Sequence, residues 1–528
     1  MSEEKANHQG RLRSKGLTLY AAIFMIICLL PFVGMLWAPT QSTSSTTRAV
    51  ALPELLQDDG TVNVNYLSQL GTYFEDHYAY RNLAIDLDAR LKVGLFGVSP
   101  TKQVVVGSDG WLYYGGELDD YLALSPLTER KAKNIAFNLS LMQGYAKAKG
   151  SKLIFTIGPN KSTLYPEHMP YYFPRSPDPS MDLLKECLEE KGVTYLDLFE
   201  LFDAQSEELY CKTDSHWDNN GALLVTNALL ELCGKDRATV QHYFRYPFFI
   251  GDIEKMLYPV TAQPEPQTGP STGDWNYVNS ASTVDDVFIE TGSSGAASSS
   301  GSSDTPGSSG ASSTAGSPNP AGKDTLLMFR DSFANTLIPL MAPQFGHAYF
   351  SKLIPYNMTQ IETLQPDYVI IERAERHIDL LAENPAIMLA PRLKIEATET
   401  IESNTSIELT KDGDFQVIQG WVDEGCIGID DDVFIMVETP SGVVCYVPFR
   451  ISGMVNSSAN TSIDGADEAV GVLKDGLGAG STGRISDYGY KAYLIDQNLE
   501  NGTFTITVLV LRADSGKVVA VANSTFVR

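Results

Sequence analysis

At 528 residues and 43% hydrophobic content, the chain is long enough for two or three domains with cores of their own, which excludes a wholly disordered protein. Its 39 basic residues stand against 65 acidic ones, and a net charge of -26 repels phosphate backbones, so nucleic acid is not an expected partner.

Residues 1–16 form a basic segment carrying Lys5, Arg11, Arg13 and Lys15. Residues 17–38, LTLYAAIFMIICLLPFVGMLWA, then run without a charge, enough for about 30 Å of helix and one bilayer crossing. Because the basic flank precedes this run and the uncharged TQSTSST follows it, residues 1–16 are expected in the cytoplasm and everything after residue 38 outside. A cleaved signal peptide is the competing reading. The run is long for the apolar part of such a peptide and no clear A-x-A site follows, so an uncleaved anchor in the cell membrane is expected. Beyond the anchor five cysteines remain, of which Cys426 and Cys445 flank one predicted hairpin and could pair. No C-x-x-C spacing suggests structural zinc.

After a Ser/Thr spacer comes YFEDHYAYRN, residues 73–82, then a helical stretch, then VVVGSDGWLYY, residues 104–114, which reads as strand, turn and strand. A helix beginning near Pro126 places Ile135, Leu139, Met142 and Ala146 on one face and ends at Gly150. Then follow strand 152–158, helix 179–191, strand 193–197, an apolar helix 221–234, strand 325–329 with a helix from Phe333, and strand 367–372 with another helix. Alternation of this kind predicts an α/β domain over residues 60–390, built on a mostly parallel sheet covered on both faces. Residues 291–322 interrupt it with a Ser/Gly-rich insertion that has almost no apolar side chains to bury, and a flexible loop is expected there. From residue 395 to 528 the pattern changes to alternating strands separated by Asp, Gly and Asn turns, which predicts a C-terminal β-sandwich.

Two short motifs carry the chemistry. TDSHW, residues 213–217, puts Asp214 and His216 in a loop before the 221–234 helix. Taken alone, such a pair is usually structural. RDSF, residues 330–333, puts Ser332 between the end of an apolar strand and the first turn of a helix, where backbone N–H groups can support developing negative charge and where the crevice of an open α/β sheet lies. Alone, Ser332 would read as a helix N-cap. Together the three residues make a triad candidate: a serine hydroxyl needs a base to remove its proton, and an aspartate fixes the imidazole tautomer and stabilises the imidazolium. No further histidine or carboxylate stands at a recognised ligand spacing near Asp214, so neither a metal nor another cofactor is expected.

DSHW and DSF, together with GPNKSTLYPE at 158–167, the GSDGWLYY turn and YFEDHYAYRN, resemble the alginate O-acetyltransferase AlgJ/AlgX-like family, also called the DHHW family, over roughly residues 60–385 outside the insertion. The resemblance implies an SGNH-hydrolase-like domain and an extracytoplasmic serine acyltransferase that moves acetyl groups onto polysaccharide hydroxyls, with a polytopic membrane acyltransferase as the supplier of acetyl groups. It implies Ser332 as nucleophile, His216 as base and Asp214 as its orienter. Arg330 stands where a glycine often precedes the Asp-Ser pair in related hydrolases, so the oxyanion donors do not carry over. The Ser332 N–H is the first candidate, with Asn160 or Lys161 as another. Tyr165 and Arg376 are candidates for the substrate groove, against packing or surface ion pairing. Trp421 and Tyr446 could stack on sugar rings, although buried core aromatics are commoner. An esterase using the same three residues and a non-enzymatic glycan-binding envelope protein remain as alternatives.

Overall fold

The computed structural model describes residues 2–35, 51–56, 60–238, 240, 242–271, 275–292, 324–455, 484–495 and 502–527. A helix runs over Ser2–Gly34, and its segment Leu17–Gly34 is long and apolar enough to cross a membrane. Residues 36–38 of the expected span lie outside the described residues. Phe32, near the end of this helix, stacks on Phe74 of helix Tyr66–His77 with ring centroids 4.3 Å apart.

The sheet that carries the site has seven strands, in spatial order Tyr195–Leu196, Lys152–Gly158, Tyr368–Ala374, Thr325–Phe329, His347–Ser351, Phe288–Gly292 and Asn276–Tyr277. It is mixed, which corrects the expected mostly parallel sheet. The first five strands pair in parallel, whereas Phe288–Gly292 runs antiparallel to both its neighbours. The last two strands are short and flanked by polar residues, so no apolar run marked them in the sequence. Lys152–Gly158 and Tyr368–Ala374 are buried at nearly every position, as strands covered on both faces must be.

Helix Glu129–Ala148, capped by the Thr128 side chain accepting from the Lys131 N–H, covers one face, where Ile135, Leu139, Met142 and Ala146 pack with Leu153, Phe155, Val369 and Ile371. Helix Asn219–Leu232 covers the other, with Val225 and Leu229 among Ile154, Met328 and Ile370. The helix expected from Phe333 is instead a five-residue 3-10 turn, Ser332–Thr336, followed by the short pieces Ile338–Met341 and Ala342–Gln344. Pro339 and Pro343 lack the N–H that a continuous helix would need.

Most of the expected insertion 291–322 falls within residues 293–323, which lie outside the described residues. Thr291 and Gly292 belong to a strand, and Thr291 is fully buried, so the insertion begins after them. Gly292 and Thr325 lie on either side of the same residue, His347. Two strand spacings separate them, about 10 Å, which a six-residue linker spans easily. Replacing residues 293–323 by six Gly/Ser residues is therefore expected to leave the melting temperature unchanged or slightly raised, since closure entropy favours the shorter loop by about 1.4 kcal/mol. A calorimetric fall of more than about 5 °C would show that the segment is packed.

Past residue 390 the chain forms a six-stranded sheet, in order Arg392–Leu393, Gly442–Tyr446, Asp432–Thr439, Thr503–Leu511, Val518–Val527 and Glu399–Thr400, and a four-stranded sheet, Glu408–Asp412, Phe415–Trp421, Arg484–Ile495 and Phe449–Val455. Ile418, Tyr490, Ala492 and Leu494 of the smaller sheet share one apolar cluster with Val433, Ile435, Val508 and Val521 of the larger. The smaller sheet docks on helix Glu129–Ala148. The Asn138 side chain accepts from the Arg450 N–H at 2.9 Å and donates to the Arg450 carbonyl at 2.9 Å, while Arg130 donates to the carbonyls of Ile429 and Asp431 at 2.8 Å each. Cys426 and Cys445 do not pair; all six cysteines are free thiols. Tyr446 is a buried core residue rather than an exposed sugar platform, and Trp421 is half-buried with its ring against the Gly489 backbone.

Candidate active site

The Thr325–Phe329 strand delivers Arg330, Asp331 and Ser332 to the carboxyl edge of the sheet. Asp331 rather than Ser332 is the N-cap: its carboxylate accepts from the Phe333 N–H at 3.0 Å and from the Ala374 N–H at 2.7 Å, tying the serine turn to the end of the neighbouring strand. Burial pushes the Asp331 carboxyl up, but Arg373, His377 and Arg376 outweigh it and hold it at about 2. Arg330 is fully buried and donates to the carbonyls of Val284 and Asp286 at 2.7 and 3.0 Å, so it fastens the loop beneath the serine.

Asp214 and His216 arrive on the loop before helix Asn219–Leu232. His216 Nε2 lies 2.9 Å from Ser332 Oγ, and its Nδ1 lies 2.7 Å from Asp214 Oδ1. The remaining Asp214 oxygen accepts from the Asp252 N–H at 2.8 Å. Burial opposes charge on both members. The hydrogen bond and mutual attraction win, holding Asp214 at about 2 and raising His216 above its ordinary value. Phe333 locks the pair of loops together, with ring contacts to His216 at 4.8 Å and Trp217 at 4.9 Å, and Trp217 donates from its indole to Thr336 Oγ1 at 2.8 Å.

Asp252 was not read from the sequence. It comes from a separate segment, and its carboxylate accepts from Ser215 Oγ at 2.5 Å and lies 3.8 Å from His216 Nδ1. Asp214, His216 and Asp252 thus form a cluster of ligand-type atoms within 4.8 Å of one another. Its shortest line, Nδ1 to Asp214 Oδ1 at 2.7 Å, has the length of a hydrogen bond. The only trace in the sequence is Gly251: a Cβ there would lie 2.1 Å from the Thr213 carbonyl oxygen, so glycine alone lets this segment reach the loop. Glu265, also missed, accepts from the Lys212 and Thr213 N–H groups at 2.9 and 2.8 Å.

The other predicted residues have different surroundings. Lys161 is fully buried and donates to the carbonyls of Cys211, Lys212 and Asp214 at 3.1, 3.1 and 2.6 Å, so it braces the loop and does not offer its ammonium to Ser332. Asn160 is buried, donating from its backbone to Glu375 at 2.7 Å and from its amide to Asp120 at 2.8 Å. Tyr165 packs its ring 4.9 Å from that of Trp111 and accepts from the Leu209 N–H at 2.9 Å, a packing role rather than a groove. Arg376 lies beside the site, with its guanidinium 5.1 Å from the Phe333 ring centroid.

Residues 104–243 match the family model for the SGNH hydrolase-like domain, acetyltransferase AlgX. That stretch contains Asp214 and His216 but ends before Ser332. The probable alginate O-acetylase AlgJ of Pseudomonas syringae pv. tomato (strain ATCC BAA-871 / DC3000) is 30% identical over 219 residues, covering 40% of this chain and 51% of that protein. The probable alginate O-acetylase AlgJ of Pseudomonas fluorescens is 27% identical over 179 residues, covering 32% and 43%. The chain thus spans about half the length of the curated relatives it matches. Among solved structures, PatB1 of Bacillus cereus aligns over 52% of this chain and 96% of its own at 15% identity, with a TM-score of 0.39, too slight a likeness to carry an argument.

Proposed function

From the premise that residues 104–243 form an AlgJ/AlgX-like, SGNH hydrolase-like domain, we propose that this chain is an extracytoplasmic O-acetyltransferase that modifies a polysaccharide through Ser332, His216 and Asp214. The observation that carries the reading is the continuous path from Asp214 through both imidazole nitrogens to Ser332 Oγ, at 2.7 and 2.9 Å. His216 takes the serine proton as Oγ attacks an acetyl ester, Asp214 holds the tautomer with Nε2 free to accept it, and the acetyl group then passes from Ser332 to a glycan hydroxyl. The apolar helix serves as a single-pass anchor with the catalytic part outside, and a polytopic membrane acyltransferase is the supplier of acetyl groups. The two C-terminal sheets are read as a β-sandwich attached to the catalytic domain.

Incubation with an activated acetyl ester, followed by mass spectrometry of the Ser332 peptide and of an added glycan, tests this directly. Acetyl on Ser332 and then on glycan is expected. Acetyl-Ser332 that discharges only to water indicates an esterase, and an unmodified Ser332 defeats both.

A pH dependence follows from the charges around His216. The base must be neutral to act, and its pKa is raised, so the rate should fall with acidification through a midpoint above the ordinary imidazole value of 6.5. Asp252 is one of the charges that raise it. Asp252→Asn removes that charge, and the acid limb of kcat/KM for ester cleavage should move to lower pH. An unmoved limb would remove Asp252 from the field at the imidazole.

A further inference from the structure

Arg376 is placed differently from the other cations near the serine. Lys161 spends its donors on three backbone carbonyls, and both Nη atoms of Arg330 donate, to the carbonyls of Val284, Asp286 and Asp331 and to the Asn335 side chain. Arg376 sits in the 3-10 turn Glu375–His377, which follows the Tyr368–Ala374 strand, and its guanidinium packs against two rings, 5.1 Å from the Phe333 centroid and 5.5 Å from that of Tyr114. Its Nε and Nη1 are buried and have no hydrogen-bond partner among the described residues. Stacking on aromatic rings occupies the face of a guanidinium and leaves its N–H donors free in the plane. Arg376 as a whole is half-buried, yet buried donors left unused are costly to keep unless something bound supplies an acceptor. Phe333, the ring on which Arg376 packs, directly follows Ser332 and lies 4.8 Å from the His216 ring, so the guanidinium stands beside the reacting groups.

Resting on the acyl-transfer reading, we infer that Arg376 is the side chain that receives the negative charge on the acetyl carbonyl oxygen when Ser332 attacks. Ser332 Oγ bonds to the carbonyl carbon as its proton passes to His216 Nε2, and the C=O π pair moves onto oxygen, where the Arg376 guanidinium and the Ser332 N–H stabilise it. Collapse re-forms the carbonyl and breaks the bond to the donor oxygen, which leaves with the proton from Nε2. The glycan hydroxyl repeats the sequence on acetyl-Ser332, and the same guanidinium serves again. Because the charge exists fully only in the tetrahedral species, Arg376 acts on turnover and not on ester binding.

The test compares wild type, Arg376→Met and Arg376→Lys in the full chain, with p-nitrophenyl acetate as acyl donor and circular dichroism to establish folding. Arg376→Met should lower kcat for acylation about 10²-fold with KM for the ester little changed, and Arg376→Lys should recover much of the loss. The acid limb of Arg376→Met should move to higher pH, because a cation that pulls the imidazole down is gone. Acylation of Arg376→Met at near wild-type kcat overturns the inference, as does a loss confined to KM for the glycan acceptor. A wild-type protein that never acylates Ser332 overturns the acyl-transfer reading itself, a result distinct from either.

Discussion

Ser332→Ala and His216→Ala should each reduce acetyl transfer by on the order of 10³-fold or more, and the double variant should lose little beyond either single one. The reason is the geometry of one shared proton path: Nε2 stands 2.9 Å from Oγ, so removing either end leaves the other without a task. Asp214→Asn should also be severely impaired. An amide at that position can donate to Nδ1, which would place the imidazole proton on Nε2 and face it toward the serine. Folding should survive in all three, because Ser332 and His216 are half-buried and the Trp217 bond to Thr336 still joins the two loops. The measurements are ester cleavage, glycan acetylation and circular dichroism on each variant. Losses that multiply independently, or near wild-type rates in folded Ser332→Ala, would return the three residues to a structural role.

Lys161→Met is expected to have the largest effect on stability. Its ammonium bonds three carbonyls of the Asp214 loop at once; that of Lys212 also accepts from the Leu112 N–H, but those of Cys211 and Asp214 would lose their donor in a buried place. Each orphaned acceptor costs about 1–3 kcal/mol where it cannot reach water. Relaxation of the loop recovers part of that, leaving a destabilisation of about 3 kcal/mol, or roughly 5–10 °C in melting temperature. Methionine keeps the length of the stem, so packing against Trp111 and Tyr113 is nearly preserved and the loss reports the bonds. The same loosening displaces Asp214 and should lower kcat about 10²-fold, because an error near 1 Å at a reacting group costs that much. A variant with unchanged melting and unchanged rate would mean that the loop holds its shape without the ammonium.

What the sequence made legible follows the range of each interaction. Asp214, His216 and Ser332 stood out because each belongs to a short local pattern, a two-residue spacing or a strand ending in a turn, and the structure brings the three together. The helix 129–148 and strand 152–158 were equally plain, since apolar period and terminal glycine act within a few residues. Asp252 was invisible because nothing local marks it; it reaches Asp214 through a backbone approach that only a glycine at 251 permits. Lys161 was misread for a related reason. A lysine in a Gly-Pro-Asn-Lys loop looks like a solvated or substrate-facing charge until the fold shows three carbonyls converging on it. The strands Asn276–Tyr277 and Phe288–Gly292 are too short to show a period, and they are the ones that make the sheet mixed.

The seam between the α/β part and the C-terminal sheets has a mechanical consequence. Asn138 pairs with both the N–H and the carbonyl of Arg450, so one side chain imitates a residue of an adjoining strand. Apolar surfaces can slide over one another at little expense, but a two-point match of this kind recurs only at every second residue of a strand and is lost in between. The two halves are therefore keyed, not merely adhered.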